Sequence, residues 1–436
     1  MPVERRSMGA VPVRAGSRRP GYNLVTDYGL NVDRSAASNS AILASAVADA
    51  ENNGHALWLP NGTYRINAPI DLRFDYATLI GESALAAFIQ DTDNTPVLKV
   101  GGKHVRVENL TLGYGTIQDS SDTDANAVEC TNLWASELRN LLIYYCGRAF
   151  YQPPDEGQNY FFSNLVSTVK VYRPAVSAIH LRPTDIGNTG SQFINVHIDG
   201  VLDGNATTCS EPVVYIESSS GMVFDRLNVE WIRPTNSSGL GLGVIKVRDS
   251  EVTFRRLYME GAESAVGGGA WLEALGPVGG SRVMVDGWAI ADCHIDNLSV
   301  FGVVKINDAN TTVTIREFTD TGVTSSGTYY TFMNGDHASG QAVYLTDTEA
   351  APGVDDQLFM TGTAPQIPLI RQYGTIVNAS RDGGKWTIYG TAAPTTGTWA
   401  VGDRVVNTAP AAAGASEWRC TTAGTPGTWK ALTLAA

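Results

Sequence analysis

The line V-R-V-E-N-L at residues 105–110 recurs in altered form about eight times between residues 105 and 318. The other copies are S-E-L-R-N-L (136–141), Y-F-F-S-N-L (160–165), S-Q-F-I-N-V (191–196), M-V-F-D-R-L (222–227), V-T-F-R-R-L (252–257), V-M-V-D-G-W (283–288) and V-T-I-R-E-F (313–318). Their last residues follow one another at intervals of 31, 24, 31, 31, 30, 31 and 30 residues. A period of this length indicates a repeat architecture, which outweighs any single motif.

A second recurring line lies between these copies and is rich in β-branched residues. Its members are V-L-K-V (97–100), A-V-E-C (127–130), A-I-H-L (178–181), V-V-Y-I (213–216), V-I-K-V (244–247) and V-V-K-I (303–306). Each reads as a strand with one buried face. Two or three short strands per repeat, with no helical pattern between them, exclude leucine-rich and helical solenoids. They predict coils of a parallel β-helix stacked about 4.8 Å apart, with an ordinary β-sandwich as the alternative.

Asparagine recurs at one position of the first line, just before the inward apolar residue. The four asparagines are Asn109, Asn140, Asn164 and Asn195. Because asparagine tolerates the left-handed backbone conformation, we expect a tight corner at this position. Asparagines stacked from coil to coil can also bond to one another, as side-chain ladders do in cross-β assemblies.

The composition limits the functions that are open to the chain. Its 436 residues are 43% hydrophobic and 17% charged, and 45 are glycine, as many strands and corners require. The net charge of −13 argues against nucleic acid and anionic membrane as partners. The five cysteines are odd in number and lack metal-ligand spacing, so we expect free thiols, no metal and no cofactor, although disulfides remain an alternative. No window approaches a membrane span.

The first twenty residues carry five arginines but no apolar core of a signal peptide. One interpretation is a disordered arm without a role, and the other is a peptide that docks onto a larger acidic assembly. Without a secretory signal, we expect a protein released by host lysis.

A helix is predicted before the first coil, capped by Ser38 or Asn39 and ending at Gly54, with Ile42, Ala46 and Val47 on its apolar side. It would cover the open end of the solenoid.

Residues 25–89 resemble the entry region of pectate-lyase-like right-handed β-helix proteins, above all bacteriophage tailspikes and related depolymerases. The residues that carry the resemblance are Asp27, Gly29, Asp33, Ile42, Pro60, Gly62, Thr63, Tyr64 and G-E-S at 81–83. The chain departs from the family pattern at Arg34 and at Ala37–Asn39, where a glycine and an acidic pair are usual. The calcium-binding acids of true pectate lyases have no match here. The resemblance implies a virion spike that is a homotrimer and binds bacterial surface polysaccharide (capsule or lipopolysaccharide) for host cell attachment.

The predicted fold class is therefore all-β: a right-handed parallel β-helix with a short N-terminal capping helix and a small C-terminal all-β module. The last unit contains Trp386, Trp399, Trp418 and Trp429, which we interpret as its core, with a sugar-stacking platform as the alternative. We expect it to help trimerise or terminate the spike. The predicted units are a basic arm that docks onto the virion (1–20), the capping helix and first coils (21–95), the β-helix (96–330), a β-rich connector (331–384) and the Trp-rich module (385–436).

The register of the repeats predicts which side chains share an outward column. Two columns cross three successive copies: His197, Asn228 and Tyr258, and, two residues later, Asp199, Glu230 and Glu260. Like charges in neighbouring strands are destabilising, so an acidic column needs a reason. Crowding also separates the pKa values of neighbouring carboxyl groups, which is how an acid and a base coexist in one site.

Glu230, Glu260 and Asp199 are accordingly the candidate catalytic residues, and Tyr258, His197, Asn228, Trp231 and Arg233 are candidates for substrate binding. Adjacent coils would hold Glu230 and Glu260 about 5 Å apart, near the retaining separation, whereas Asp199 and Glu260 lie about 9–10 Å apart, at the upper end of the inverting range. The plain alternative is a solubilising surface neutralised by Arg233 or Arg226.

We therefore predict a spike protein that cleaves polysaccharide by endo-acting glycoside hydrolysis. The alternatives are a spike that only adheres, and a polysaccharide lyase in which Tyr258, His197 or Arg233 acts on a uronate.

Overall fold

The structure, a computed structural model, describes most of the chain from residue 21 to residue 433. The described ranges are 21–154, 159–183, 187–202, 205–235, 242–264, 270–295, 302–306, 311–321, 324–325, 331–334, 342–346, 349–350, 360–361, 371–372, 375–376, 380–382, 385–395, 399–407, 409–424 and 427–433. The predicted N-terminal arm, and with it the expected docking peptide, lies outside the described residues.

The chain forms a parallel β-helix, which confirms the predicted fold class. Its two long sheets are built almost entirely from parallel strands that are hydrogen-bonded from one coil to the next. Sheet A consists of Gly21–Asn23, Ala56–Leu59, Gly62–Ile66, Thr78–Gly81, Ala86–Gln90, Arg106–Tyr114, Glu137–Tyr144, Leu165–Tyr172, Gln192–Asp199, Met222–Glu230, Glu251–Glu260, Arg282–Ala291, Thr312–Thr321, Ala342–Thr346, Glu349–Ala350, Arg371–Gln372 and Thr375–Ile376. Sheet B consists of Ile70–Arg73, Leu98–Lys103, Asn126–Trp134, Arg148–Gln152, Phe161–Phe162, Ser177–Leu181, Asn188–Thr189, Val214–Glu217, Ser219–Ser220, Ile245–Arg248, Leu272–Leu275, Gly302–Ile306, Thr331–Asn334 and Met360–Thr361.

Three smaller sheets complete the described strands. Two of them lie in the segments that follow sheet A strands: Val201–Leu202, Asn205–Cys209 and Ile232–Pro234, and then Glu263–Ser264, His294–Ile295 and Thr324–Ser325. The third is the C-terminal sheet of Ser380–Asp382, Lys385–Gly390, Arg404–Asn407, Ala415–Thr422 and Thr428–Thr433.

Seven successive long strands of sheet A, from Arg106–Tyr114 to Arg282–Ala291, are each bent at one residue in the left-handed conformation. In the strand Met222–Glu230 that residue is Arg226, with φ 59°. It shifts the alternation, so that Phe224 and Leu227 both point into the core. The residue at the equivalent position of six other strands has the same left-handed backbone conformation: Asn109, Asn140, Thr168, Asn195, Arg256 and Gly287. The predicted corner exists, and Asn140 Nδ2 donates to Asn109 Oδ1 at 2.7 Å, as a ladder requires.

The prediction for Asn164 was wrong. Leu141 pairs with Val169, and Leu165 pairs with the outward Glu137, so Thr168 occupies the corner position in this coil. Asn164 belongs to a different corner, where its Oδ1 accepts from Ser136 N at 3.0 Å. The apolar segment at 160–165 imitates the repeat because Phe161 is a core residue of sheet B.

The interior is a continuous hydrophobic core that contains a stack of aromatic rings. The Phe193 and Phe224 centroids are 4.8 Å apart with planes at 12°, and those of Phe224 and Phe254 are 5.1 Å apart. All three side chains are buried. In-register repetition places each ring directly above the equivalent ring of the neighbouring coil.

The capping helix α1 runs from Ala36 to Asn53, so it begins earlier than predicted. Ser35, rather than Ser38 or Asn39, is the N-cap and accepts from Ser38 N at 3.3 Å. Asn39 is buried and donates instead to Arg65 O at 3.1 Å, which ties the helix to the first coils. Gly54 ends the helix in the left-handed conformation, as predicted.

The C-terminal sheet has its own small core. Trp399 and Cys420 are buried there, and the partly buried Trp418 and Trp429 pack against them. This supports the interpretation of these tryptophans as core residues, while the side chain of Trp386 lies outside the described residues. All five cysteines are buried free thiols, as expected. Within the described ranges, no helix has the length and apolarity to cross a membrane.

We predict that Phe224→Ala lowers the free energy of unfolding by about 3–5 kcal/mol, because it leaves a cavity within the aromatic stack. Urea denaturation followed by circular dichroism measures the change. Val223→Ala, on the outward side of the same strand, is the control and should cost less than about 1 kcal/mol. Equal losses in the two variants would contradict the assignment of inward and outward faces.

Candidate functional site

The structure assembles both predicted columns on the outward face of sheet A. The strand register pairs Asp199 with Glu230 and Glu230 with Glu260. The second column follows the same strands, with Asn228 paired to both His197 and Tyr258. The column geometry that the repeats predicted is therefore present, and each acid is half-buried rather than fully exposed.

Buried neighbours hold these outward side chains in place. In the strand of Glu230 and Asn228, the inward residues Leu227 and Val229 are in the core. Immediately after the strand, Trp231 N donates to Glu260 O at 2.8 Å. The backbones of neighbouring coils thus stay hydrogen-bonded up to the end of the acidic column. This fixes the positions of the carboxylates along their strands.

Asp199, Glu230 and His197 form the tightest group in this region. His197 Nε2 lies 3.0 Å from Glu230 Oε2, and one ligand atom of each of the three residues lies within 4.8 Å of the others. Such a set of one imidazole and two carboxylates could hold a divalent cation. The direct contact of His197 with Glu230 would have to open to admit one, so the geometry fits an imidazole–carboxylate pair better.

Tyr258 pairs with Glu260 on the same strand. Its hydroxyl donates to Glu260 Oε2 at 2.7 Å. This hydrogen bond, together with partial burial and the charges of Glu260 and Glu230, raises the pKa of Tyr258 to about 12. Tyr258 therefore keeps its proton at neutral pH and acts as a hydrogen-bond donor.

Trp231 is a partly exposed aromatic surface beside the column. The backbone of Trp231 is left-handed, with φ 53°. Its indole packs on Gly261, where an added Cβ would lie 2.6 Å from the ring. Arg233 follows two residues later in the small strand Ile232–Pro234 and is half-buried. Arg226, the other predicted neutralising residue, is exposed at the corner four residues before Glu230, which corresponds to about 13 Å of extended strand. It is too far to neutralise the column.

Sequence reasoning missed a second polar cluster on the outward face of sheet B. It consists of Arg148, Tyr151, His180, Glu211 and Tyr215, in which Arg148 and His180 both bind Glu211. The second recurring line contains part of the signal, because its polar position falls on His180 and Tyr215. Glu211 lies outside that line, in the segment before the next strand, so the repeat pattern could not reveal it.

A family model described as rhamnogalacturonase A/epimerase, pectate lyase-like, matches residues 22–271. The chain belongs to this family. The predicted pectate-lyase-like resemblance is thereby confirmed, and the matched range of this pectate lyase-like chain includes both the acidic column and the sheet B cluster. No curated protein matches the sequence.

Solved structures share the architecture of this pectate lyase-like protein at low sequence identity. The ORF18 protein of Geobacillus virus E2 is 12% identical, with a TM-score of 0.52, over 94% of this chain and 76% of its own. A tailspike of an Acinetobacter phage is 12% identical, with a TM-score of 0.43, over 97% of this chain and 83% of its own. The catalytic unit of a GH87 alpha-1,3-glucanase from Streptomyces thermodiastaticus is 13% identical, with a TM-score of 0.43, over 78% and 71%.

We predict that Gly261→Ala lowers the free energy of unfolding by about 1–3 kcal/mol, because the left-handed backbone at φ 57° disfavours a side chain. The added methyl group would also displace the indole of Trp231. Thermal unfolding and the tryptophan emission maximum measure the two effects. Gly279→Ala is the matched control, since a Cβ there meets nothing within 4 Å. A stable Gly261→Ala variant with unchanged emission would contradict the packing described above.

Proposed function

We propose that this protein hydrolyses the glycosidic bonds of a bacterial surface polysaccharide, with its reacting groups in the acidic column of sheet A. The observation that carries the proposal is the in-register stacking of Asp199, Glu230 and Glu260 on three successive coils. Hydrolysis of a glycosidic bond requires two carboxyl groups at a fixed separation, one to protonate the leaving oxygen and one to attack or to activate water. A β-helix supplies such a separation through its backbone.

Glu260 and Glu230 are assigned the roles of nucleophile and general acid. Glu260 accepts the hydrogen bond of Tyr258, which holds a carboxylate oxygen in a fixed direction. Glu230 lies against His197, which can hold and return the proton that an acid–base residue exchanges in each half-reaction. Adjacent coils place the two strands about 4.8 Å apart, close to the separation in retaining enzymes of about 5–5.5 Å. We therefore assign a retaining mechanism, with Asp199 orienting His197.

The groups around the column provide for substrate binding. The partly exposed Trp231 offers a ring face on which a sugar can stack. Asn228, in the strand of Glu230, and Arg233, in the small strand Ile232–Pro234 that follows it, supply hydrogen-bond donors. The spike assignment, with homotrimer assembly, virion location and attachment through the N-terminal arm, rests on the resemblance of residues 25–89 to tailspikes and is part of this proposal.

The lyase alternative is disfavoured by Tyr258. Eliminative cleavage needs a base that removes a proton beside a uronate carboxyl group, and a tyrosine with a raised pKa is a poor base at neutral pH.

We predict that Glu230→Gln and Glu260→Gln each lower the rate of polysaccharide cleavage by about a hundredfold to ten-thousandfold, because the amide neither transfers a proton nor attacks the anomeric carbon. Reducing ends released from capsule or lipopolysaccharide measure the rate. Glu251→Gln, an exposed acid at the start of the strand of Glu260, is the matched control and should retain full activity.

Two further readouts separate the alternatives. Proton NMR of the first product should show retained anomeric configuration, whereas inversion would move the reacting pair to Asp199 and Glu260, two coils apart. Polysaccharide binding without any product from the wild-type protein would favour a non-catalytic adhesion spike.

We predict that Tyr258→Phe lowers the hydrolysis rate by only about fivefold. This factor corresponds to the loss of one hydrogen bond, which contributes about 1 kcal/mol. Because the pKa of Tyr258 is about 12, the alkaline limb of the pH–rate profile below pH 10 should be the same in wild type and variant. Tyr144→Phe, two coils before Asp199 in the same column, is the control. Complete loss of activity in Tyr258→Phe, with unsaturated ultraviolet-absorbing products from the wild type, would establish the lyase instead.

A further inference from the structure

The outward face of sheet B contains a column of polar and aromatic side chains that the proposed chemistry does not use. The strand register pairs Tyr151 with His180, His180 with Tyr215 and Tyr215 with Lys246. Residues on either side of His180 along its strand, Ile179 and Leu181, are in the core. The column therefore points away from the core, yet His180 itself is only 7% exposed.

His180 and Arg148 converge on one carboxylate. Glu211 Oε1 accepts from Arg148 Nη2 at 2.7 Å and Oε2 accepts from Arg148 Nε at 3.2 Å, while His180 Nδ1 lies 2.8 Å from Oε2. Burial alone would raise the pKa of Glu211, but the hydrogen bonds and charges of His180 and Arg148 lower it to about 2. Glu211 is thus a carboxylate at neutral pH, and it fixes a proton on Nδ1 of His180.

The opposite ring nitrogen of His180 is left without a partner. With the proton on Nδ1, Nε2 accepts a hydrogen bond when the ring is neutral and donates one when the ring is charged. This atom is buried and has no hydrogen-bond partner among the described residues. A buried polar atom of this kind costs free energy unless something pairs with it, and each such atom in a folded protein calls for an explanation. An oriented imidazole with one unpaired ring nitrogen is typical of a binding site.

Two tyrosine rings flank the imidazole. The centroid of Tyr215 lies 4.8 Å from that of His180, and the centroid of Tyr151 lies 5.6 Å from it. Arg148 sits over the Tyr151 ring at 4.4 Å and Lys246 over the Tyr215 ring at 5.2 Å, so both rings are held in place. Both tyrosines remain half-exposed. The exposed parts of these rings, next to oriented hydrogen-bonding groups, suit a sugar, since a sugar ring has an apolar face and hydroxyl edges.

We propose that this cluster is a second sugar-binding subsite, in which a sugar hydroxyl forms a hydrogen bond with His180 Nε2 and the sugar ring packs on the exposed part of Tyr215. The ligand class, a polysaccharide chain, rests on the proposed function, whereas the location on sheet B does not. The subsite binds a stretch of the polymer on a different sheet from the acidic column. It therefore raises affinity for long chains and contributes no reacting group.

The test compares binding and catalysis in variants that keep the fold. His180→Phe preserves ring volume and removes Nε2, and Tyr215→Ala removes the ring from a half-exposed position. His104→Phe is the matched control, because His104 also stacks on a tyrosine, Tyr76, but lies in the first coils. Fragments of capsule and of lipopolysaccharide, the substrates of the proposed function, are the probes. Binding is measured by calorimetry in a Glu260→Gln background, and thermal unfolding verifies the fold of each variant.

We expect His180→Phe and Tyr215→Ala to weaken binding of the tightest probe by about tenfold each, which corresponds to one hydrogen bond or one stacking contact. In the Glu260-containing enzyme, the same changes should raise KM without lowering kcat. The protein has six histidines, so the ¹⁵N resonance of His180 Nε2 can be assigned by its loss in His180→Phe. That resonance should move when the probe is added.

Other outcomes overturn the proposal. Unchanged affinity in both folded variants, an Nε2 resonance that does not move, or no binding of any probe by the wild-type protein would each do so. A loss of kcat at constant affinity would also overturn it, because the cluster would then contain the reacting groups. Full activity in Glu230→Gln and Glu260→Gln, with weaker binding in His180→Phe, would remove the proposed mechanism but leave this subsite standing.

Discussion

The structure depends on the hydrogen bonds that join each coil to the next in fixed register. In sheet A this register continues without a shift from Arg106 to Thr321, through seven successive strand pairs. Because side chains alternate between the two faces, a slip by one residue would move every core side chain to the surface. The left-handed corner within seven of these strands has the same effect, since it fits only one alignment of neighbouring coils. Core packing, the acidic column and the aromatic stack all follow from this one constraint.

The repeat pattern in the sequence was enough to predict the fold and the acidic column. Glu230 and Glu260 could be placed together because both lie at a constant distance from a repeated apolar residue. Asn164 shows the limit of that reasoning, because Phe161 creates an apolar pattern that resembles the repeat although it belongs to the other sheet. The start of helix α1 was misplaced for a similar reason. Ser35 and Ser38 are both good capping residues, and the contacts of Asn39 with Asn31 and Arg65, which place Asn39 inside the helix, are not visible in the local sequence.

The sheet B cluster could not be predicted, because some of its residues lie at repeat positions in the strands and one lies in a connecting segment. His180 and Tyr215 occupy repeat positions, whereas Glu211 comes from the segment between two strands. The local sequence does not show in which direction that segment runs. It also does not show that Arg148, which lies 63 residues from Glu211, is buried. The two faces therefore differ in kind. Sheet A obtains its polar column from strand register alone, and sheet B combines a register column with a residue brought in from a connecting segment.

The fixed spacing of the coils also restricts how such a site can evolve. The backbone positions of two acids in one outward column can be separated only by whole multiples of about 4.8 Å. The separation that suits a retaining mechanism, in which a carboxylate attacks, and the separation that suits an inverting mechanism, in which water attacks, therefore differ by one coil. Two substitutions, one that removes an acid from a coil and one that introduces an acid on the neighbouring coil, can exchange the two stereochemical courses without altering the backbone. In this fold the mechanism is therefore chosen in whole steps, by which coils contain the acids.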